Sequence, residues 1–305
     1  MNILVTGASG FLGAVLVKRL LEKGHRVYGL SRHPPAPDEN LIPLAGDITR
    51  PNLGLKAVPR IHAVHHLAAI HRLGKDNDGL IERTNIEGTK NVLDFCIDHS
   101  IPRLYFTSSA YTMGRNVYER TKALSEVMLR ESDIPEVTIF KPSIVLGTEE
   151  NFYPGHLSQF VALVIKVHQR AELVRRKIEG SLRLPVLEPV FRIRGNPSGN
   201  LNVITVDSVV EAMADITGPG TYYLTNPEPP SLRDLVDWIG EFILLKIEAK
   251  PYFKPTPLEA MFEKLSSAFG PYLLGDEFPS NIKECRPEID KAFIHDTIKK
   301  TLLSP

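Results

Sequence analysis

The sequence predicts an α/β protein: a doubly wound parallel sheet carrying a smaller C-terminal lobe. Three observations lead to it. A glycine-spaced turn sits between an apolar strand and a helix within residues 1–23. Short apolar runs then alternate with amphipathic helical stretches through the first half of the chain. Small or hydroxylated residues recur at the ends of these runs, where a parallel sheet opens its ligand crevice. Residues 1–150, completed by about 197–226, are read as a dinucleotide-binding domain, and 151–196 with 227–305 as the substrate-side lobe.

Asn2 to Val5 is an apolar run without alternation, as expected of a strand covered on both faces. Gly7, Gly10 and Gly13 follow in the spacing GxxGxxG. The first permits a tight turn, the second lets backbone N–H groups approach a pyrophosphate, and the third lets the new helix pack on its strand. Phe11 to Lys23 supplies that helix, with Leu12, Val15, Leu16, Arg19 and Leu20 at helical spacing and Gly24 as the residue that ends it. An anion belongs at its positive end.

His25 to Leu30 is a second strand, followed by the proline-broken loop SRHPPAPDEN. Ser31 and Arg32 stand where an acidic residue would hold a free ribose hydroxyl. A guanidinium there grips a 2′-phosphate through its planar fork, which favours NADP(H) over NAD(H). The competing reading is a solvated loop arginine.

Leu41 to Ala45 is a third strand ending in Gly46 and Asp47, and Ala63 to Leu67 a fourth ending in Ala68 and Ala69, small enough for a flat cofactor to pass. His65, His66 and His71 cluster here without carboxylate or cysteine partners at ligand spacing, so they read as packing or rim residues and no metal site is expected. Asp78 to Asp98 has the apolar pattern of a long helix, and Arg103 to Thr107 is a fifth strand running into Ser108 and Ser109. The next helix, Val117 to Glu131, carries Tyr118 and Lys122 four apart and therefore one above the other. An ammonium beside a phenol favours the phenolate, so the pair predicts a tyrosine of lowered pKa for proton transfer, with Ser109 polarising a carbonyl.

Glu136 to Phe140 is a sixth strand. His156 to Lys177 reads as a helix whose stripe of Phe160, Val161, Val164 and Val167 lines an acyl pocket or, as is more common, faces a core or a dimer partner. Val190 to Ile193 and Leu201 to Val206 read as strands, Asp207 as the N-cap of a helix over Ser208 to Ile216, and Thr221 to Thr225 as another strand. Ser231 caps a helix through Phe242, and helical patterns recur around Pro257 to Phe269 and Ile289 to Leu303.

Composition narrows the class. Hydrophobic residues at 43% and charged residues at 24% describe a globular chain, and 36 basic residues balance 36 acidic ones, so no net field recruits nucleic acid. Only Cys96 and Cys285 occur, which suits a reducing compartment. No apolar run approaches a membrane span, and the chain opens on a core strand rather than a secretory leader, so the expected location is cytoplasmic.

At this point the motifs together resemble the extended short-chain dehydrogenase/reductase family, also described as NAD-dependent epimerase/dehydratase-like. TGASGFLG is similar to its cofactor motif, which implies Ser9, Phe11 and Leu12 beside the three glycines; Asp47 with Ile48 resembles its adenine-side acid. HLAA at His66 to Ala69 is similar to the strand-four signature, adding Leu67, Ala68 and Ala69, and NIEGT at Asn85 to Thr89 resembles its NVxGT helix. FTSSAYTMG places Ser109 on the catalytic serine and Thr107 on the cofactor side; YERTK places Tyr118 and Lys122 on YxxxK; the likeness of KPSIVLG to an RPSIV strand implies Pro142 and Ile144 as cofactor-binding residues.

Within the family, NVYERTKALSE, KPSIVLG and LNVITVDSVVEAM are similar to the branch of fatty-acyl reductases, male-sterility proteins and thioester reductases. Two departures stand out. Lys141 replaces the usual arginine, and only eight residues lie between Ser109 and Tyr118, a shorter link than the family keeps. A roof for the site is therefore expected from beyond Gly147.

The resemblance implies a Rossmann-like fold and an NADP(H)-dependent oxidoreductase that reduces an aldehyde, ketone or acyl thioester, or oxidises the alcohol. Ser109, Tyr118 and Lys122 would be catalytic, and the two long helices of the first half would pair in a homodimer. The rival readings are a nucleotide-sugar epimerase or dehydratase and a non-catalytic NADP(H) sensor.

Overall fold

The computed structural model describes residues 1–182 and 190–303. The first half alternates strand and helix: β1 (Asn2–Thr6), α1 (Phe11–Glu22), β2 (Arg26–Ser31), β3 (Leu41–Ala45), β4 (Ala63–His66), α2 (Leu80–Glu82), α3 (Gly88–Asp98), β5 (Arg103–Thr107), α4 (Val117–Arg130) and β6 (Glu136–Pro142). The second half adds β7 (Ile144–Leu146), α5 (His156–Leu182), β8 (Phe191–Arg194), β9 (Val203–Thr205), α6 (Val206–Asp215), β10 (Gly220–Leu224), α7 (Leu232–Ile243), β11 (Ile247–Lys250), α8 (Pro257–Leu265) and α9 (Lys291–Leu303).

Two compact units divide this chain. Residues 1–143, 206–227 and 279–284 form one, and 144–205, 228–278 and 285–305 the other. The first holds a parallel seven-stranded sheet in the order β10-β6-β5-β4-β1-β2-β3. Alternate strand residues point to opposite faces, and both sets are buried in β1, β4 and β5. Leu4, Val64, Leu104 and Phe106 pack with Val92, Phe95, Cys96 and Leu129 from α3 and α4. α1 packs with α6. This is the doubly wound, Rossmann-like arrangement that the sequence predicts.

α1 ends where a glycine permits it. Gly24 has φ +76°, its N–H bonds the Leu21 carbonyl, and the N–H of His25 reaches back to Leu20. The long helix expected over Asp78 to Asp98 starts later, at Leu80, and contains a π turn at Arg83–Glu87. Asp76 and Asp78 lie outside it as caps, accepting from the N–H groups of Ile81, Glu82 and Leu80. Asp207 is likewise not a cap: α6 begins at Val206 and places Asp207 in its first turn, where the helix dipole still favours a carboxylate.

The second unit contains the parallel pairs β8·β11 and β7·β9. Ser231 and Asp234 form a capping box on α7, and Thr256 with Glu259 another on α8. The α5 stripe faces this unit's own core: Phe160, Val161, Val164 and Val167 are buried, and α5 packs on α8 and α9. The Phe160 ring meets Phe262 edge-on at 5.6 Å. Burial among aromatic neighbours settles that stripe as core rather than as an acyl pocket lining.

Candidate active site

The turn after β1 is shaped by close approach. Gly7 sits at φ +72°, and a Cβ there would lie 2.8 Å from the Ala68 nitrogen. A Cβ on Gly13 would lie 2.1 Å from the Gly7 carbonyl oxygen, so only glycine lets α1 start against this turn. The Gly7 N–H donates to the Leu30 carbonyl at 2.9 Å, and Gly46 N–H to Ser31 at 3.1 Å, so the ends of β1, β2, β3 and β4 converge.

α1 starts on Gly10 in extended backbone, with no side-chain cap and no acidic residue in its first turn. Ser9 and Gly10 are exposed, and Phe11 and Leu12 half-buried. An uncapped positive helix end beside a glycine turn fits a pyrophosphate. At the end of β2, the Ser31 hydroxyl oxygen is buried without a hydrogen-bond partner and Arg32 is exposed. Asp47 accepts from the N–H and hydroxyl of Thr49. Burial opposes its ionisation, but those hydrogen bonds and the charges of Arg32 and Arg50 prevail and hold its carboxyl below the usual range. Ile48 is buried beside Gly88, where a Cβ would meet its Cδ1 at 2.7 Å.

β4 leads through Leu67, Ala68 and Ala69, all half-buried. Asn85, in the π turn, is almost fully enclosed: its Oδ1 accepts from the Ile70 N–H at 2.8 Å, and its Nδ2 donates to the Ile70 carbonyl and to Thr121 Oγ1, each at 3.0 Å. The sequence reading placed Asn85 on the cofactor; in the structure both of its amide hydrogens are committed inside the protein, where they hold the loop after β4 against α4.

His65 and His66 are core residues, whereas His71 is exposed. His66 Nδ1 lies 2.8 Å from Thr6 Oγ1 and its Nε2 3.1 Å from Thr89 Oγ1, while His65 stacks on Tyr105 at 4.3 Å. Burial pushes both imidazoles down to about 3, helped at His66 by the Lys122 charge. The His71 imidazole is also lowered, first by partial desolvation and then by the Lys122 charge. No cluster of histidine, cysteine and carboxylate able to hold a metal occurs among the described residues.

Ser109 and Tyr118 come together. Buried Ser109 accepts from the Tyr111 N–H at 3.1 Å and hydrogen-bonds the phenol of Tyr118. The short link between them folds on itself: Asn116 caps α4 by accepting from the Glu119 N–H, and buried Glu119 takes the Arg115 Nε–H at 3.0 Å. The Arg115 guanidinium lies 5.3 Å from the centre of the Tyr111 ring. Lys122 is buried too, donating to the Thr107 carbonyl at 2.7 Å above the Phe106 ring.

The expected phenolate is not what this geometry favours. Burial pushes the Tyr118 phenol up to about 12, with Ser109 opposing and the Glu119 charge adding to the rise. Burial also pulls Lys122 down to about 7, against the Glu126 carboxylate. The spacing put the two residues on one side of a helix, but desolvation is the largest influence on each of them.

The Thr107 Oγ1 is buried without a hydrogen-bond partner, and so is that of Ser143, which the sequence reading did not single out. Pro142 closes β6, buried, whereas Ile144 belongs to β7 in the second unit. Sequence reasoning also passed over Ser108, Glu126 and Lys141 as a group. Ser108 donates to Glu126 at 2.5 Å, and Lys141 is hydrogen-bonded to the same oxygen. The final glutamate of the quoted NVYERTKALSE stretch was the available signal.

Comparison with known proteins agrees with this fold. A sequence model of the NAD dependent epimerase/dehydratase family matches residues 3–179. A 2-alkyl-3-oxoalkanoate reductase of Stenotrophomonas maltophilia (strain K279a) is 28% identical over 270 residues, which cover 78% of this chain and 74% of that protein. The chain spans only 29–35% of the length of several other curated reductases and dehydrogenases that it matches. Among solved structures, the terminal R domain from the myxalamid PKS-NRPS biosynthetic pathway superposes with a TM-score of 0.71 at 20% identity, covering 99% of this chain and 90% of that one. A UDP-glucose 4-epimerase from Thermotoga maritima, solved with UDP-glucose, gives 0.65 at 18% identity over 99% and 100% of the two chains. At such identities the structural likeness speaks to the fold alone.

Proposed function

The chain belongs to the NAD dependent epimerase/dehydratase family of extended short-chain dehydrogenase/reductases, and within it we propose an NADPH-dependent reductase of a ketone, aldehyde or acyl thioester. One observation carries the reading: a neutral, half-buried Tyr118 whose phenol is hydrogen-bonded to Ser109, with Lys122 held at the end of the neighbouring strand. A phenol that keeps its proton at pH 7 is arranged to donate it.

When bound, a reduced nicotinamide supplies hydride to the carbonyl carbon. Tyr118 gives its proton to the oxygen, and Ser109 orients that oxygen by a hydrogen bond. Lys122 holds the cofactor ribose and stabilises the tyrosinate left behind. The glycine turn and the α1 N-terminus hold the pyrophosphate, Asp47 and Ile48 flank the adenine, and Ser31 with Arg32 hold the 2′-phosphate. Thr107 and Ser143, with unpartnered hydroxyls, offer hydrogen bonds to bound groups. The similarity to an oxoalkanoate reductase supports a ketone or aldehyde as the acceptor.

The chain is further proposed to form a homodimer through α3 and α4, because Ile97, Leu124 and Val127 are exposed on those helices at 48%, 57% and 47%. Sedimentation velocity on Val127→Glu checks this, with a monomer expected.

The deciding experiment supplies NADPH with a 3-oxo acid, an aldehyde, an acyl thioester and UDP-glucose in turn. Loss of reduced nicotinamide in step with carbonyl reduction is expected. Conversion of the nucleotide-sugar without net loss would assign an epimerase. Tight NADPH binding with no turnover of any of them would point to a sensor.

A further inference from the structure

Behind Ser109 lies a buried ion pair that the proposed chemistry does not use. The side chains of Lys141, at the end of β6, and Glu126, on α4, are 4% and 7% exposed. Glu126 Oε1 accepts from Lys141 Nζ and from the Ser108 hydroxyl, and Oε2 from Arg130 at 2.8 Å. Lys141 Nζ also donates to Thr112 Oγ1 at 3.0 Å. The pair thus grips the chain one residue before Ser109 and three residues after it.

Backbone bonds run the same way. The Ser108 N–H donates to Phe140 at 2.7 Å and the Ala110 N–H to Pro142 at 2.8 Å, tying both neighbours of Ser109 to the strand that carries Lys141. Glu126 rides on the helix that carries Tyr118, two turns further along. One charge is therefore anchored to the element holding the phenol and the other to the strand beside the serine. Desolvated charges in mutual contact resist separation, since losing Glu126 leaves the Lys141 ammonium buried against the Thr112 hydroxyl, and losing Lys141 leaves the buried carboxylate with the half-exposed Arg130 as its ionic partner.

We propose that Glu126 and Lys141 are positioning residues that fix the Ser109 hydroxyl against the Tyr118 phenol through Ser108 and Thr112. This deepens the reductase reading and rests on it for its catalytic meaning, but the geometry can be tested without turnover. Breaking the pair releases the serine segment on both sides. Ser109 then leaves the phenol, although neither charged residue touches it.

The experiment uses the full chain grown with tyrosine carrying carbon-13 at Cζ, whose resonance responds to hydrogen bonding of the phenol. Tyr118→Phe assigns the signal. Ser109→Ala should move it; Lys141→Met and Glu126→Gln should move it the same way by at least half as far, with no further movement when either is added to Ser109→Ala. Lys141→Arg, which still reaches the carboxylate, should restore the wild-type position. Folded Lys141→Met or Glu126→Gln with the resonance unmoved, or shifts that add in the double variant, would overturn the proposal.

Should those charge variants fail to fold, Ser108→Ala combined with Thr112→Val cuts both tethers and leaves the ion pair whole. The same shift is expected, and its absence would overturn the proposal equally. NADPH turnover is measured separately, so an inactive protein that shows the coupled shifts refutes the reductase reading and leaves the positioning role standing.

Discussion

Lys122 Nζ donates to the carbonyl oxygen of Thr107 at 2.7 Å, which fixes the ammonium at the end of β5 before any cofactor arrives. Burial brings its pKa down to about 7, so in the free protein it is close to half protonated at neutral pH. Anionic cofactor binds better to the charged form. NADPH affinity should therefore fall as pH rises from 6 to 8, by up to about tenfold per unit, and Lys122→Met should bind weakly without that pH dependence. A flat wild-type profile by titration calorimetry would show that the lysine does not meet the cofactor.

Tyr118→Phe keeps the ring and removes only the donor. Cofactor affinity should stay near wild type while kcat falls by about 10²–10⁴ in the reductive direction. Steady-state kinetics decide it: an unchanged kcat would remove Tyr118 from the chemistry.

Two glycines should both cost stability when substituted, but only one should cost cofactor binding. A Cβ at Gly13 meets the Gly7 carbonyl oxygen at 2.1 Å, so Gly13→Ala must push α1 off the turn, costing about 1–3 kcal/mol or more and weakening NADPH binding. Gly24, at φ +76°, has nothing within 4 Å of an added Cβ. Gly24→Ala should cost about 1–2 kcal/mol from backbone strain alone and leave cofactor binding intact. Thermal unfolding and NADPH titration separate the two.

Arg32 is exposed, and its charge helps hold the Asp47 carboxyl low. If it also grips the 2′-phosphate, wild type should prefer NADPH over NADH by about tenfold to a hundredfold. Arg32→Ala should close most of that gap by weakening NADPH alone. Equal loss of both cofactors would make Arg32 a solvated loop residue.

His65 and His66 set a pH limit on the fold. Both are pushed down to about 3 in the native protein from an ordinary 6.5. A depressed native value means the stability is whole above 6.5 and is lost as pH falls toward 3, because the unfolded chain takes up protons first. Between pH 6.5 and 5 the two together should cost on the order of 3 kcal/mol. His65→Phe removes one titrating ring and keeps the stack on Tyr105, so urea midpoints should show about half that loss.

Much of the fold is legible in sequence because short-range physics dictates it. β3 and β5 run as read, and Ser231 caps α7 as read, since an apolar run or a capping box is complete within a few residues. The fourth strand and its small exit residues follow from composition alone. What stayed hidden depends on partners far along the chain. The Ser108 hydroxyl meets Glu126 eighteen positions on, and nothing local says which serine of the pair faces the phenol. The reach of Lys122 to Thr107 is equally invisible in YxxxK, where spacing gives a face but not a direction. β7 and β11, at 3 and 4 residues, are too short to stand out from their flanks.

The π turn at Arg83–Glu87 separates the length of this segment from the register of the core it covers. A wide turn holds one residue more than the helix around it would need, and the Asn85 carbonyl there accepts from both Thr89 and Ser125. Deleting a residue there would let ordinary helical bonding close over the gap, and because the wide turn already absorbs the extra residue, Val92, Phe95 and Cys96 would keep facing the sheet they cover. What the deletion would remove is the Asn85 carbonyl that Thr89 and Ser125 share, so the extra residue serves the contact between two helices and leaves the core beneath them untouched.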